Sequence, residues 1–195
     1  MKQDLTEIVV LLNKQGDTSK IINDTIEGYN RFIDDQKNLP GEAVLTTIFF
    51  DHANQLIHDR VDIKRAKKIT SENYMGGKRA ALCETLGKAV HDIGWKLNNT
   101  KEQDRPSKVI FAIFTDGPDK ASKNNPIEKV RKMVELQRIT YNWDFLFFAA
   151  NIDAGQYGKS LGIVRTFNYK EANVADAIKH ASTAIGNYRK TGSFE

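Results

Sequence analysis

The chain has 195 residues, 40% of them hydrophobic and 28% charged, with 29 Lys and Arg against 25 Asp and Glu for a formal net charge of +4. That balance fits one folded domain over 1–195, with an ordered core from about 5 to 189, and excludes a disordered chain. No stretch reaches the roughly 18–20 apolar residues that span a bilayer. The polar start Met1-Lys2-Gln3-Asp4-Leu5-Thr6-Glu7 also lacks the apolar run of a signal peptide, so a cytoplasmic location without membrane contact is expected.

In chain order, Ile8 to Leu12 is a continuous apolar run, the signature of a strand covered on both faces. Ile22, Ile26, Tyr29 and Ile33 then recur at helical spacing and mark one buried stripe. A Pro40-Gly41 turn signal precedes Ala43 to Phe50, whose β-branched content favours strand. Gln55 to Lys64 is more polar and suits an edge strand. Leu82, Leu86, Val90, Ile93 and Leu97 form a second helical stripe. Val109 to Phe114 reads as another buried strand, and Asn124-Asn125-Pro126 is a start signal for a helix carrying Ile127, Val130, Val134 and Gln137. Phe145 to Ala150 is again strand-like, and Val174, Ile178, Ala181, Ile185 and Tyr188 make the last helix. Strands alternating with helices predict an α/β fold, a mainly parallel sheet with helices on both faces.

Ligands of such sheets bind beyond the carboxyl ends of the strands, near the point where strand order reverses. Two loops therefore matter most: Asn13 to Lys20 after the first strand, and Thr115-Asp116-Gly117-Pro118-Asp119-Lys120 after the Val109–Phe114 strand. Three segments, Glu7 to Lys20, Lys108 to Ser122 with its strand-Thr-Asp-Gly ending, and Phe145 to Ile163 with Ala150-Asn151-Ile152-Asp153, carry a resemblance. In their order and spacing the chain resembles the von Willebrand factor A family, in the compact stand-alone form found in bacteria and their phages. The resemblance implies a three-layer, doubly wound sheet of about six strands with one antiparallel edge strand. It also implies recognition of a partner at the carboxyl-end rim.

The family usually holds Mg²⁺ or Mn²⁺ there, through Asp-x-Ser-x-Ser in the first loop, a Thr from a second loop and an Asp from a third. These are hard oxygen donors in octahedral array, with one position left open for a partner's carboxylate. In this chain the first motif becomes Asn13-x-Gln15-x-Asp17, while the third-loop Asp is kept as Asp116. Ala80 stands opposite the Thr, or Arg79 with a one-residue shift, and neither supplies a hydroxyl. Asn13, Asp17 and Asp116 remain as weak metal candidates. Lys14, Lys78 and Arg79 crowd the same rim, however, and repel a divalent cation. The adhesion site is thus read as degenerate, with no cofactor expected beyond residual weak Mg²⁺ or Mn²⁺ binding. Lys78 or Arg79 is a candidate tethered counter-ion for Asp116 and Asp17.

Other constellations are bland. Cys83 is the only cysteine, on the apolar side of a helix, and His52, His58, His91 and His180 show no metal-ligand spacing. Gly155-Gln156-Tyr157-Gly158-Lys159-Ser160 imitates a phosphate-binding loop, but the required first glycine falls at Asp153. Asp51-His52 is read as a turn rather than a catalytic pair, because adjacent residues point apart.

No nucleophile with its base is evident, so the expected function is non-enzymatic protein binding. The contact set is Lys14, Gln15, Asp17, Lys78, Arg79, Asp116 and Lys120, with the rest of the Pro118–Lys123 loop, and an acidic protein segment is the favoured partner. The alternative is a nucleic acid or small anionic ligand on the same basic rim. Phosphates would then sit at the amino terminus of the first or second helix, beside Gly76-Gly77. A phage accessory role against a host or defence factor fits either reading.

Overall fold

The computed structural model describes residues 1–14, 18–75, 77 and 80–194. Among the described residues six strands and five α-helices follow in the order β1 (Lys2–Asn13), α1 (Ser19–Lys37), β2 (Glu42–Phe50), β3 (Asn54–Asp62), α2 (Leu82–Asn98), β4 (Pro106–Thr115), α3 (Ile127–Thr140), β5 (Asp144–Ala149), α4 (Ala154–Ser160), β6 (Arg165–Asn168) and α5 (Val174–Thr191).

The strands lie in one sheet in the order β3-β2-β1-β4-β5-β6. All neighbours are parallel except β2 and β3. This is the mostly parallel six-stranded sheet with an antiparallel edge that the resemblance implied. Covering both faces explains why β1, β4 and β5 are continuous apolar runs rather than alternating ones. On one side Ile8, Val10 and Leu12 of β1 pack with Tyr29, Phe32 and Ile33 of α1 and Ile178, Ala181 and Ile185 of α5. On the other, Val9 and Leu11 meet Leu86, Val90 and Ile93 of α2 and Val130 and Val134 of α3.

From β1 the chain moves outward through β2 and β3, then crosses back to β4 on the other side of β1. The β1/β4 junction is therefore the point where strand order reverses, and the crevice opens at its carboxyl end. Register brings the two exits level, with Leu12 opposite Phe114 on β4 and Asn13 opposite Phe50 on β2.

The first residues take part in the sheet. Lys2 N–H donates to the Arg105 carbonyl at 2.7 Å, and Ser107 Oγ donates to the Gln3 carbonyl at 2.7 Å. Glu7, 0% exposed in the central strand, is paired with Arg60 of β3 through Nη2 and Nε, each 2.9 Å from Oε2. Arg60 has φ +50°, and the β2/β3 register shifts around it, which swings its side chain toward Glu7. Burial holds the Glu7 carboxyl above its ordinary value despite Arg60.

The remaining singled-out groups have structural roles. His58 is buried between Thr47 Oγ1 and the Lys67 carbonyl, each at 3.0 Å. Cys83 is 3% exposed in α2, where burial and the neighbouring Asp119 push its thiol up, away from a reactive thiolate. The segment that imitates a phosphate loop is helix α4, its N-cap Asp153 accepting from Gln156 N–H at 2.9 Å. Among the described residues no helix is long and apolar enough to cross a membrane.

Candidate functional site

The end of β1 is tied down from several directions. Lys14 N–H donates to the Phe50 carbonyl and Gly77 N–H to the Lys14 carbonyl, each at 2.8 Å. The hydroxyl of Tyr74, itself buried, donates to the Asn13 carbonyl at 3.0 Å. Gly77 is needed for this close approach, because a Cβ there would lie 2.5 Å from the Cβ of Asp51. Asp51 takes the turn role read from the sequence. Its Oδ1 accepts from Ala53 N–H at 2.8 Å, and its Oδ2 lies 3.3 Å from the Lys14 ammonium. Burial works against the Asp51 charge, but the Ala53 N–H and Lys14 outweigh it and hold the carboxyl below its usual value. The Lys14 side chain is only 16% exposed in this pairing, so its charge is spent on Asp51 rather than directed outward.

Across the crevice, Asp116 follows β4. Asn13 Nδ2 donates to Asp116 Oδ1 at 2.5 Å, and Asn151 Nδ2 donates to the Asp116 carbonyl at 3.1 Å. Asn151 also reaches Glu171 Oε2 at 3.3 Å from a left-handed backbone, φ +59°, of the kind asparagine tolerates. Burial raises the Asp116 pKa, and the Glu171 charge adds to the rise, while Lys120 and the Asn13 amide oppose it. Lys120 N–H donates to the Ala80 carbonyl at 3.0 Å, clasping the second and third loops together. The result is a polar cleft of about 310 Å³ lined by Asn13, Gly77, Ala80, Asp116, Gly117, Pro118, Lys120 and Asn151.

Helix α2 starts beside this cleft without a side-chain cap of its own. The third loop provides one instead: Asp119 Oδ2 accepts from Cys83 N–H at 2.8 Å, and Ser122 Oγ from Glu84 N–H at 2.9 Å. Glu84 replies by accepting from Lys123 N–H through Oε1 and from Asn125 Nδ2 through Oε2. Much of the Pro118–Lys123 loop thus serves α2. Two of the amides at the start of α2, those of Cys83 and Glu84, are already used. At α1, Thr18 accepts from Ile21 N–H in the same manner.

Of the residues expected to form the site, Asn13, Asp116 and Lys120 come together in the cleft, with Ala80 at its second-loop side. Gln15, Gly76, Asp17, Lys78 and Arg79 lie outside the described residues. Sequence reasoning missed Asn151, Glu171 and Tyr74. The signal for Asn151 was an asparagine directly after a strand, where a left-handed residue is common. Nothing local marked the other two. Among the described residues lining the cleft, the only carboxylate is Asp116, held by an amide N–H, and an ammonium stands in the same wall.

The chain is similar in structure to proximal thread matrix protein 1 from the mussel byssus, with a TM-score of 0.65 at 10% identity over 91% of this chain and 47% of that one. A second crystal structure of the mussel protein, described as having a zinc-occupied metal-ion-dependent adhesion motif, gives 0.64 at 11% identity over 91% and 47%. A von Willebrand factor type A protein from Catenulispora acidiphila gives 0.63 at 12% identity over 94% of this chain and 42% of its own. The chain has a von Willebrand factor A-like fold. The ArnB paralog VWA2 from Sulfolobus acidocaldarius aligns too, with a TM-score of 0.55 at 12% identity over 91% and 45%. This von Willebrand factor A-like chain spans less than half the length of each of these proteins. No family model matches its sequence, and no curated protein does.

Proposed function

We propose that this von Willebrand factor A-like domain is a non-enzymatic protein-interaction module. It binds an acidic segment of a partner at the carboxyl-end rim, in the cytoplasm and without a divalent cation. The fold supports the general role, since such domains commonly mediate protein interaction. The observation that carries the metal-free reading is the bond from Asn13 Nδ2 to Asp116 Oδ1. It puts an N–H donor, where the family's motif has a carboxylate ligand, against one oxygen of Asp116. Ala80 supplies no hydroxyl, and Lys120 adds a positive charge to the wall.

Among the described residues, this donor set does not fit the octahedral oxygen shell of Mg²⁺ or Mn²⁺. A partner carboxylate would instead meet Lys120, and the sequence adds two cationic residues, Lys78 and Arg79, directly before Ala80. The use of the Cys83 and Glu84 amides by Asp119 and Ser122 favours a protein partner over a phosphate-bearing one.

The test is amide NMR of the full chain titrated separately with a glutamate-rich peptide and with Mg²⁺. The expected result is saturable peptide shifts at Asn13, Gly77, Asp116, Gly117 and Lys120, abolished by Lys78→Glu with Arg79→Glu, and no saturable shift with Mg²⁺. Peptide shifts unaffected by that double charge reversal, or Mg²⁺ shifts centred on Asp116, would overturn the reading.

A further inference from the structure

A second recess lies at the opposite, amino-terminal edge of the sheet, between the ends of α2 and α3 and the start of β4. It is an apolar trough of about 340 Å³. Trp143, 5% exposed and stacked on Phe111 at 5.6 Å, lines it on the inside. Leu136, 53% exposed, Tyr141, 61% exposed, and Met1, 61% exposed, line it on the outside. Isolated exposed apolar residues are ordinary, but several converging on one concave site are characteristic of a binding surface.

The trough continues past Asn142 and Trp143, which it shares with a polar recess of about 260 Å³. Three charged side chains line that recess: Arg138, Arg165 and Asp144. Asp144 is committed to Arg165, Oδ1 to Nη1 at 3.0 Å, and to the Tyr188 hydroxyl. The Arg165 guanidinium is further held 4.3 Å from the ring centroid of Phe194. Arg138 has no such partner. Among the described residues it makes no ion pair, and its Nε is buried without an acceptor. A guanidinium that lines a recess without an acidic partner has a carboxylate as its natural complement, able to take two N–H bonds at once.

We infer that this composite groove docks a short segment of a partner protein in which apolar side chains adjoin an acidic residue. The apolar side chains fill the trough against Trp143, and the carboxylate pairs with Arg138. The charge complementarity of Arg138 selects this occupant over a purely apolar one. The surface is separate from the β1/β4 cleft and does not depend on that cleft's reading.

The test is selection of binders to the full chain from a random-peptide display library, followed by affinity measurement on synthesised winners. Enriched peptides should carry Asp or Glu next to two or more large apolar residues. Their binding should weaken at least about tenfold, which is about 1.4 kcal/mol, in Arg138→Glu and in Leu136→Asp, and stay unchanged in Lys179→Glu, an exposed position on α5 away from both recesses. Replacing the peptide's acidic residue by Lys should restore binding to Arg138→Glu. The thermal midpoints of the variants show that they remain folded, and Tyr141→Asp serves if either does not. Three results overturn the inference: no enrichment, enriched peptides that bind Arg138→Glu with unchanged affinity, or a concentration-dependent dimer of the wild type that Leu136→Asp dissociates. The last would assign the groove to a second copy of the chain.

Discussion

Single residues around the cleft act mainly by holding one another. Gly77 is the clearest case, because the Asp51 side chain fills the space a Cβ would need. Gly77→Ala should therefore destabilise the protein by about 1–3 kcal/mol, measured by urea unfolding, through overpacking against a side chain already engaged with Lys14. Asp119 is a borrowed cap. It accepts from Cys83, Ala121 and Ser122 N–H groups; burial works against its charge, but the bonds from Ser122 and Cys83 outweigh it and depress the carboxyl pKa. Asp119→Ala should cost about 0.5–2 kcal/mol at neutral pH, with Asp119→Asn recovering part of it. Since its folded pKa lies below the ordinary 3.8, its contribution is complete above that value and is lost as pH falls through the folded pKa. Unfolding profiles of wild type and Asp119→Asn should accordingly converge below about pH 3.8. Asp116 has the opposite sign: its folded pKa is raised, so its cost to stability grows as pH rises above the ordinary 3.8 and is complete above the folded pKa. Asp116→Asn should raise the thermal midpoint at pH 7 by on the order of 2 °C and leave it unchanged well below the carboxyl's ordinary pKa.

At the scale of elements, the sequence was most legible where periodicity and burial coincide. The runs Ile8–Leu12, Val109–Phe114 and Phe145–Ala150 became the central strands β1, β4 and β5 because helices cover both of their faces. The stripes on α1, α2, α3 and α5 point into the core. What local pattern hid was the pairing of Glu7 with Arg60, residues 53 apart in sequence and joined only when β3 turns back along β2. A carboxylate inside a central strand looks like the tail of a polar segment until its partner strand is in place. Removing one member leaves an uncompensated charge, so Arg60→Met should cost about 3–5 kcal/mol. Adding Glu7→Leu should recover most of that loss, because a buried ion pair is often replaceable by apolar packing. A double-mutant cycle by chemical denaturation measures both effects.

At the scale of the whole molecule, the two recesses sit at opposite ends of the sheet, as strand direction requires. The carboxyl ends of β1 and β4 form the polar cleft, and the amino ends of β4 and β5 border the apolar trough. The first was legible from sequence in part. Asn13 and Asp116 could be placed because one ends the apolar run of β1 and the other directly follows β4, whereas Glu171 reaches the site from beyond β6 through Asn151. The second was invisible, because Met1, Leu136, Tyr141 and Trp143 belong to no common period and meet only through packing. A modest net charge of +4 gave no hint of either location.

The central claim is that the adhesion-type cleft works without its ion. Thermal unfolding of the full chain in chelator, and again in excess Mg²⁺ or Mn²⁺, tests it most directly. A cation bound only by the folded state would stabilise it by about 2.7 kcal/mol at a hundredfold excess over its dissociation constant. We predict the same unfolding midpoint in all three conditions. A midpoint that climbs with metal concentration, and stops climbing in Asp116→Ala, would contradict the claim.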